Sequence, residues 1–271
     1  MSQDEKYLIF AHYHTNGLIR KDIINFLNES KKYFKKIVLV STKINQKELK
    51  KLSKNIKIIK RKNIGYDFYS YKIGLEYIRK ISKNNFENNK LYFINSSILF
   101  IDPNKILKSV NKINIKQNEF WGLSRSLELT DHIQSYLFFF STKIFKKKSI
   151  LNWWEKIKPL NTHYKIILKY ELGISKLMVK NDIQLKSIYK KNINLKTKNI
   201  LKKTAQRFNE IFLKTPKYYK KDPTNYFWKD FYKLFGIVKI RLIKDNDKKY
   251  NLTGLYKILK RKKILDDAIN N

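Results

Sequence analysis

The feature that most restricts what this chain can fold into is the alternation, over its first half, of short apolar runs with amphipathic helical patterns. KYLIFAHY (Lys6 to Tyr13), KKIVLVST, IKIIKR and KLYFINSS each read as a strand. Between the first two lies IRKDIINFLNESKKYF, in which Ile19, Ile23, Phe26, Leu27 and Tyr33 or Phe34 fall near one face of a helix. After the third run, Phe68, Tyr71, Leu75 and Ile78 recur at spacings of three, four and three residues, again a helical period. Strands and helices in this order bury their apolar surfaces by crossing over a parallel sheet, so the predicted class is α/β, a mostly parallel sheet flanked by helices.

Two further strands are predicted in EFWGLSRS and QSYLFFFST, separated by the polar LELTDHI. From Phe145 the pattern turns helical: FKKKSILNWWEKI is followed by HYKIILKYELGISKLMVKND, where Ile166, Ile167, Tyr170, Ile174, Leu177 and Met178 keep helical spacing. NYFWKDFYKLFG, its start set by Pro223, and the basic amphipathic GLYKILKRKKILDDAI read as terminal helices. No internal repeat or Gly/Ser linker interrupts the chain. The expected division is a domain over residues 1–190 and a helical C-terminal extension over 191–271 packed on the same domain, with the boundary near Lys190 to Thr204.

Composition enters where partners are concerned. The formal charge is +38, which invites a nucleic-acid reading because Lys and Arg release counterions when they neutralise phosphates. Only seven of the 60 basic residues are Arg, however, and Asn and Ile are abundant as well. The codons of Lys, Asn and Ile are all rich in A and T, so base composition accounts for much of the lysine without any partner. The chain carries no recognised nucleic-acid-binding motif. A general affinity for anions, including lipid headgroups and sugar nucleotides, is what the charge supports. There are no cysteines, which excludes disulfides and thiolate metal sites. MSQDEKYLIF has no basic region followed by a long apolar one, and the longest apolar runs fall well short of a bilayer span. The expected location is therefore cytoplasmic, at most resting on the inner face of the plasma membrane.

A parallel sheet holds its ligand at the carboxyl ends of its strands. RKNIGYDFYSYKIGLEYI puts a polar turn there, immediately before a helix whose free N–H groups favour an anion. Gly65 permits positive φ or close approach of a ligand, Asn63 can bind a base or ribose edge, and Asp67 can cap the helix or hold a hydroxyl. A plain turn with an N-cap has the same spacing. Asn95, Ser96 and Ser97 end the next strand without a carboxylate until Asp102. Alternation in TDHIQSY would send His132, Gln134 and Tyr136 to one face and Ile133, Ser135 and Leu137 to the other, and His132 with Gln134 suits a hydroxyl-rich ligand. Glu171 is an acid inside a mostly apolar helix, where burial can raise a pKa and fit the group for general-base work; pairing with a lysine is the alternative. Trp121 and Gly122 offer either core packing or a flat face for a sugar ring.

In order, FAHYHTNGLI, IVLVST, RKNIGYDFYSYKIGL, LYFINSSILFIDP, FWGLS, HIQSYLFFF, WWEKI, YELGIS and DPTNYFWKDFYKLFGIVKIRLIKDN resemble the rhamnan synthesis protein F family of bacterial glycosyltransferases. The resemblance implies a GT-A-like, Rossmann-like fold and a nucleotide-diphosphate sugar donor, with rhamnose or a similar deoxyhexose transferred to a lipid-linked, growing cell-surface glycan. It implies donor binding by Asn63, Gly65, Asp67, Asn95, Ser96 and Ser97. Glu171 would be the catalytic base, and His12, Trp121, Gly122, His132 and Gln134 would line the acceptor or sugar pocket. The family usually shows Asn-Asp-Ser where this chain has Asn95, Ser96 and Ser97, which leaves both a divalent metal (Mg or Mn) and a catalytically inactive glycan-binding role open.

Overall fold

A computed structural model describes residues 4–190, 222–246 and 250–269 of the chain. Strand β1 (Glu5–His12) is nearly unbroken in its apolar character because both of its faces are covered. It pairs in parallel with β2 (Lys36–Ser41) on one side and with β4 (Asn89–Asn95) on the other, and β2 is followed by the short α2 (Gln46–Leu49) and pairs in parallel with β3 (Ile56–Lys60). Beyond β4 lie β9 (Leu137–Ser141), antiparallel to it, then β6 (Glu119–Gly122) and β10 (Gln184–Ser187). The main sheet has seven strands in the order β10-β6-β9-β4-β1-β2-β3, mixed but mostly parallel.

Alternate residues of the central strands feed two apolar layers. Leu8, Phe10 and Leu39 pack with Phe26 of α1 (Lys21–Ser30), with α4 (Pro103–Asn111), and with Phe231 and Phe235. Ile9, Val38 and Phe93 pack on the opposite face with Phe68 and Tyr71 of α3 (Tyr66–Ser82), with Trp154 of α5 (Lys148–Glu155), and with Tyr170. The rings of Phe93, Phe138, Phe140 and Trp154 stack through this second layer, with Phe93 and Phe138 4.7 Å apart. Fully burying such a side chain contributes about 1.5–3 kcal/mol, so the two layers hold the sheet rigidly beneath whatever its strand ends carry.

Several elements differ from the sequence reading. EFWGLSRS splits into β6 and the short β7 (Arg125–Ser126). β7 pairs antiparallel with β8 (His132–Ile133), so TDHIQSYLFFF is not one strand. HYKIILKYELGISKLMVKND is one continuous helical stretch with a wide turn inside it: α6 (His163–Ile166) passes through a π turn at Ile167–Glu171 into α7 (Leu172–Lys180). β5 (Ile98–Phe100), β10 and α4 have no counterpart among the elements expected from the sequence. The C-terminal part is not purely helical. A strand, β11 (Ile237–Lys239), follows the helices at Pro223–Tyr226 and Trp228–Phe235 and pairs antiparallel with β5. The helices at Arg241–Lys244, Thr253–Arg261 and Leu265–Ile269 come after it. Their leucines close a third apolar cluster on Leu99, Ile101, Trp228 and Val238. From residue 191 onward, the proposed boundary at Lys190 to Thr204 lies outside the described residues.

Candidate active site

β1, β2, β3 and β4 run in the same direction, so His12, Ser41, Lys60 and Asn95 end on one edge of the sheet. The chain leaves β1 toward β2 and β3 on one side and returns to β4 on the other, and a crevice at such a reversal is where open α/β sheets take ligands. A cleft of about 630 Å³ opens at this edge. Its walls include His12, Asn63, Gly65, Asp67, Asn95, Ser96 and Ser97, which brings His12 and all six donor-site residues inferred from the sequence into one hollow.

The turn before α3 is built on consecutive left-handed residues, Gly65 at φ +74° and Tyr66 at φ +53°. A Cβ on Gly65 would come within 2.6 Å of the Pro159 Cα, so glycine is required for both conformation and space. Arg61 gathers the turn around itself. Its guanidinium donates to the carbonyls of Lys62 (2.7 Å), Ile64 and Tyr66, and its Nε donates to Ser70 Oγ at 2.8 Å. Asp67 Oδ1 accepts the N–H of Phe68 at 2.9 Å, while Oδ2 accepts Asn95 Nδ2 at 2.8 Å. The other end of the Asn95 amide, Oδ1, accepts from Ser97 N at 3.0 Å and from Ser97 Oγ at 2.6 Å. One asparagine therefore locks the two polar stretches together. Burial, reinforced by the Glu171 carboxylate and partly offset by the Asn95 bond, raises the pKa of Asp67 above the ordinary carboxylate value.

Beneath the β4–β5 turn is a buried ion pair. Arg20 meets Asp22 through Nε at 2.9 Å and Nη2 at 3.0 Å, and also donates to the carbonyls of Ser96 (2.9 Å) and Ile98 (2.6 Å). Asp22 in turn accepts the Phe100 N–H at 2.9 Å. His12, buried at the end of β1, has Nδ1 2.8 Å from Ser41 Oγ, its cross-strand partner. Burial, with Arg20 and His14 nearby, depresses the pKa of His12 to about 3, so it stands in the cleft as a neutral imidazole.

Glu171 sits at the end of the π turn, beside this cleft rather than among its lining residues. Ser135 Oγ donates to its Oε2 at 2.8 Å, and His132 Nε2 lies 3.4 Å from its Oε1. His132 Nδ1 is 2.7 Å from the Thr130 carbonyl, so both ring nitrogens face acceptors. The raised pKa expected for Glu171 is not found. Burial pushes it up, but the His132 contact and the Ser135 hydroxyl outweigh that and hold it below the ordinary value; His132 is correspondingly raised against its own burial. Strict alternation also fails, since His132 and Ser135 reach the same carboxylate across the bend between β8 and β9.

Three residues assigned to the sugar or acceptor pocket are engaged in structure instead. Gln134 is buried: its Oε1 accepts from Ser124 Oγ (2.6 Å) and Thr224 Oγ1 (2.9 Å), and its Nε2 donates to Asp222 Oδ1 (3.0 Å). It thereby ties the sheet to the helix that Asp222 caps. Trp121 donates its indole N–H to Glu119 at 2.9 Å and lies parallel to Phe139, with the ring centroids 6.2 Å apart. Gly122 faces Ile133, whose Cγ2 would be 2.2 Å from a Cβ there. None of the three lines the cleft.

Cleft residues that the sequence did not disclose include Tyr13, Arg61, Leu160, Asn161, His163, Ile240 and Lys244. Arg61 and the buried Arg20 had one usable signal, namely that arginine is rare here and appears where a planar fork bonds several carbonyls. For a divalent metal the donor set does not fit. No group of three or more His, Cys, Asp or Glu able to hold an ion occurs among the described residues, and both oxygens of Asp67 already accept hydrogen bonds.

The family model described as rhamnan synthesis protein F matches residues 37–217 of the chain. Virulence protein VirA of Vibrio anguillarum (strain ATCC 68554 / 775) is 26% identical over 202 residues, covering 71% of this chain and 64% of that protein. Uncharacterized protein y4gN of Sinorhizobium fredii (strain NBRC 101917 / NGR234) is 24% identical over 186 residues, covering 67% and 48%. The chain thus spans less than two thirds of the length of the curated relatives it matches. Among solved structures, it is similar to 4-diphosphocytidyl-2C-methyl-D-erythritol synthase (TM-score 0.44, 6% identity, 73% of this chain and 98% of that one). It is also similar to the galactosyltransferase LgtC in complex with donor and acceptor sugar analogs (TM-score 0.37, 9% identity, 67% and 72%).

Proposed function

The chain belongs to the rhamnan synthesis protein F family, and from that premise we propose that it is a glycosyltransferase acting from a nucleotide-diphosphate sugar. The observation that carries the reading is the meeting of the Asn63–Asp67 turn with the Asn95–Ser97 turn in one 630 Å³ cleft at the carboxyl ends of parallel strands. Its size suits a sugar nucleotide. Asp67 and Asn95, fixed to each other, present one side, and the neutral His12 presents an uncharged ring on another.

In the proposed reaction, the bond from the anomeric carbon to the diphosphate breaks and the electron pair leaves with the diphosphate. An acceptor hydroxyl oxygen forms the new bond at that carbon, and its proton passes to Glu171. The His132 contact and the Ser135 hydroxyl hold the Glu171 pKa below its ordinary value, so the base is available as a carboxylate at the cost of some basicity. Attack from the face opposite the leaving group inverts the anomeric centre. By the family's name, the sugar is rhamnose or a related deoxyhexose and the acceptor a growing, lipid-linked surface glycan. Contact with an anionic inner membrane face would be electrostatic, and no helix among the described residues is long and apolar enough to cross a bilayer.

The test is calorimetric titration with uridine, thymidine and guanosine diphosphate sugars, followed by transfer assays with the Glu171→Gln variant. Donor binding that survives in Glu171→Gln while transfer falls by a factor of about 100 or more is expected for loss of a general base. Donor binding without turnover in the wild type would favour an inactive, glycan-binding homologue, for which the already bonded Glu171 oxygens are the supporting observation. Absence of binding to every donor would end the proposal.

A further inference from the structure

The C-terminal stretch enters the cleft wall. β11 runs antiparallel to β5 with Lys239 opposite Ile98, and the next residue, Ile240, donates its N–H to the Ser97 carbonyl at 2.9 Å. This anchoring delivers Ile240 and Lys244 to the same hollow as Asn63, Asp67 and Asn95. A departing diphosphate needs positive charge aimed at it. Among the described residues, Arg61 of the cleft donates to the carbonyls of its own turn, His12 is held neutral, and the ring of His163 lies 5.8 Å from that of Tyr66. The Lys244 side chain, exposed in the cleft, makes no hydrogen bond or ion pair among the described residues, its backbone N–H alone bonding the Ile240 carbonyl.

A bound magnesium ion is usually held through one or two carboxylates together with substrate phosphates. Among the described residues lining this cleft Asp67 is the lone carboxylate, and its two oxygens are taken by Phe68 N and Asn95 Nδ2. We propose that Lys244 is the cation that meets the donor's diphosphate, so that the segment after β11 is part of the donor site rather than an appendage to it. This rests on the glycosyltransferase reading.

The experiment uses the full chain and titrates uridine, thymidine and guanosine diphosphates, and the corresponding nucleosides, in EDTA and again in magnesium. Lys244→Gln is expected to weaken the preferred diphosphate by about tenfold or more, leave the nucleoside unaffected and flatten the salt dependence; Lys244→Arg should stay within a few fold of wild type. Lys257→Gln, at an exposed position that does not line the cleft, is the control for bulk charge and should bind as wild type does. Wild-type diphosphate binding matched by Lys244→Gln overturns the assignment and leaves the glycosyltransferase reading standing. Binding that appears only with magnesium, and equally in both proteins, also overturns it. Failure of the wild type to bind any diphosphate under either condition removes both.

Discussion

His132 is held between two acceptors, the Thr130 carbonyl and the Glu171 carboxylate, and its contact helps hold Glu171 below the ordinary carboxylate value. The signs follow from the shifts. Glu171 is lowered from 4.5, so its share of stability is present above 4.5 and lost as pH falls through its folded value. His132 is raised from 6.5, so its share is complete below 6.5 and lost as pH rises through its folded value. The pair therefore supports the fold best between those limits. In His132→Gln the cation is gone while burial remains, so the Glu171 pKa is expected to rise past its ordinary value. A ¹³C titration of the Glu171 carboxyl would read this directly, and a pKa left unchanged would show that His132 does not control it. The sequence supplied Glu171 and His132 as candidates. It could not supply their coupling, because that depends on a π turn and on the bend after β8, neither of which has a residue-type signature.

At the scale of elements, the cleft is held by short connections between strand ends. Arg20 and Asp22 stand at the start of α1, yet they bond the carbonyls of Ser96 and Ile98 and the N–H of Phe100, so one buried ion pair sets the height of the β4–β5 turn. Breaking such a pair leaves an uncompensated charge. Asp22→Ala is expected to destabilise the protein by roughly 3–5 kcal/mol, seen as a lower denaturant midpoint, and to loosen donor binding through Ser96 and Ser97. A midpoint within error of wild type would mean the pair is dispensable. The strands and long helices around this turn were legible because β1, β2 and β4 each carry an unbroken apolar run at their centre and α3 keeps its period from Phe68 to Ile78. β5, β10 and β11 were not, because three or four residues leave no periodicity to detect and their pairing is set by distant partners. Gln134 and Trp121 misled for a related reason: a polar or aromatic side chain near a strand end looks alike in sequence whether it faces a ligand or braces a neighbouring helix.

Across the whole molecule, the net charge of +38 must be divided between what the fold uses and what it displays. The basic helix at Thr253–Arg261 reads in sequence as a candidate to lie on lipid, but its apolar face is already spent. Leu255 and Leu259 are buried against Leu99, Trp228 and Val238, the same cluster that backs β11 and so holds Ile240 and Lys244 in place. Deleting that helix would uncover Trp228 and disturb the cleft, so truncation cannot separate a membrane role from a structural one. Substituting the exposed Lys257, Lys260 and Arg261 with glutamate does separate them, because these side chains project away from the cluster. The triple variant is expected to melt within a few degrees of wild type, since surface changes usually cost little. It should also lose affinity for vesicles containing phosphatidylserine, while wild-type binding to those vesicles should vanish at high salt, because no apolar face is left to insert. Vesicle binding that persists in molar salt would require Leu255 and Leu259 to leave their cluster, and binding unchanged by the triple substitution would remove this helix from any membrane contact.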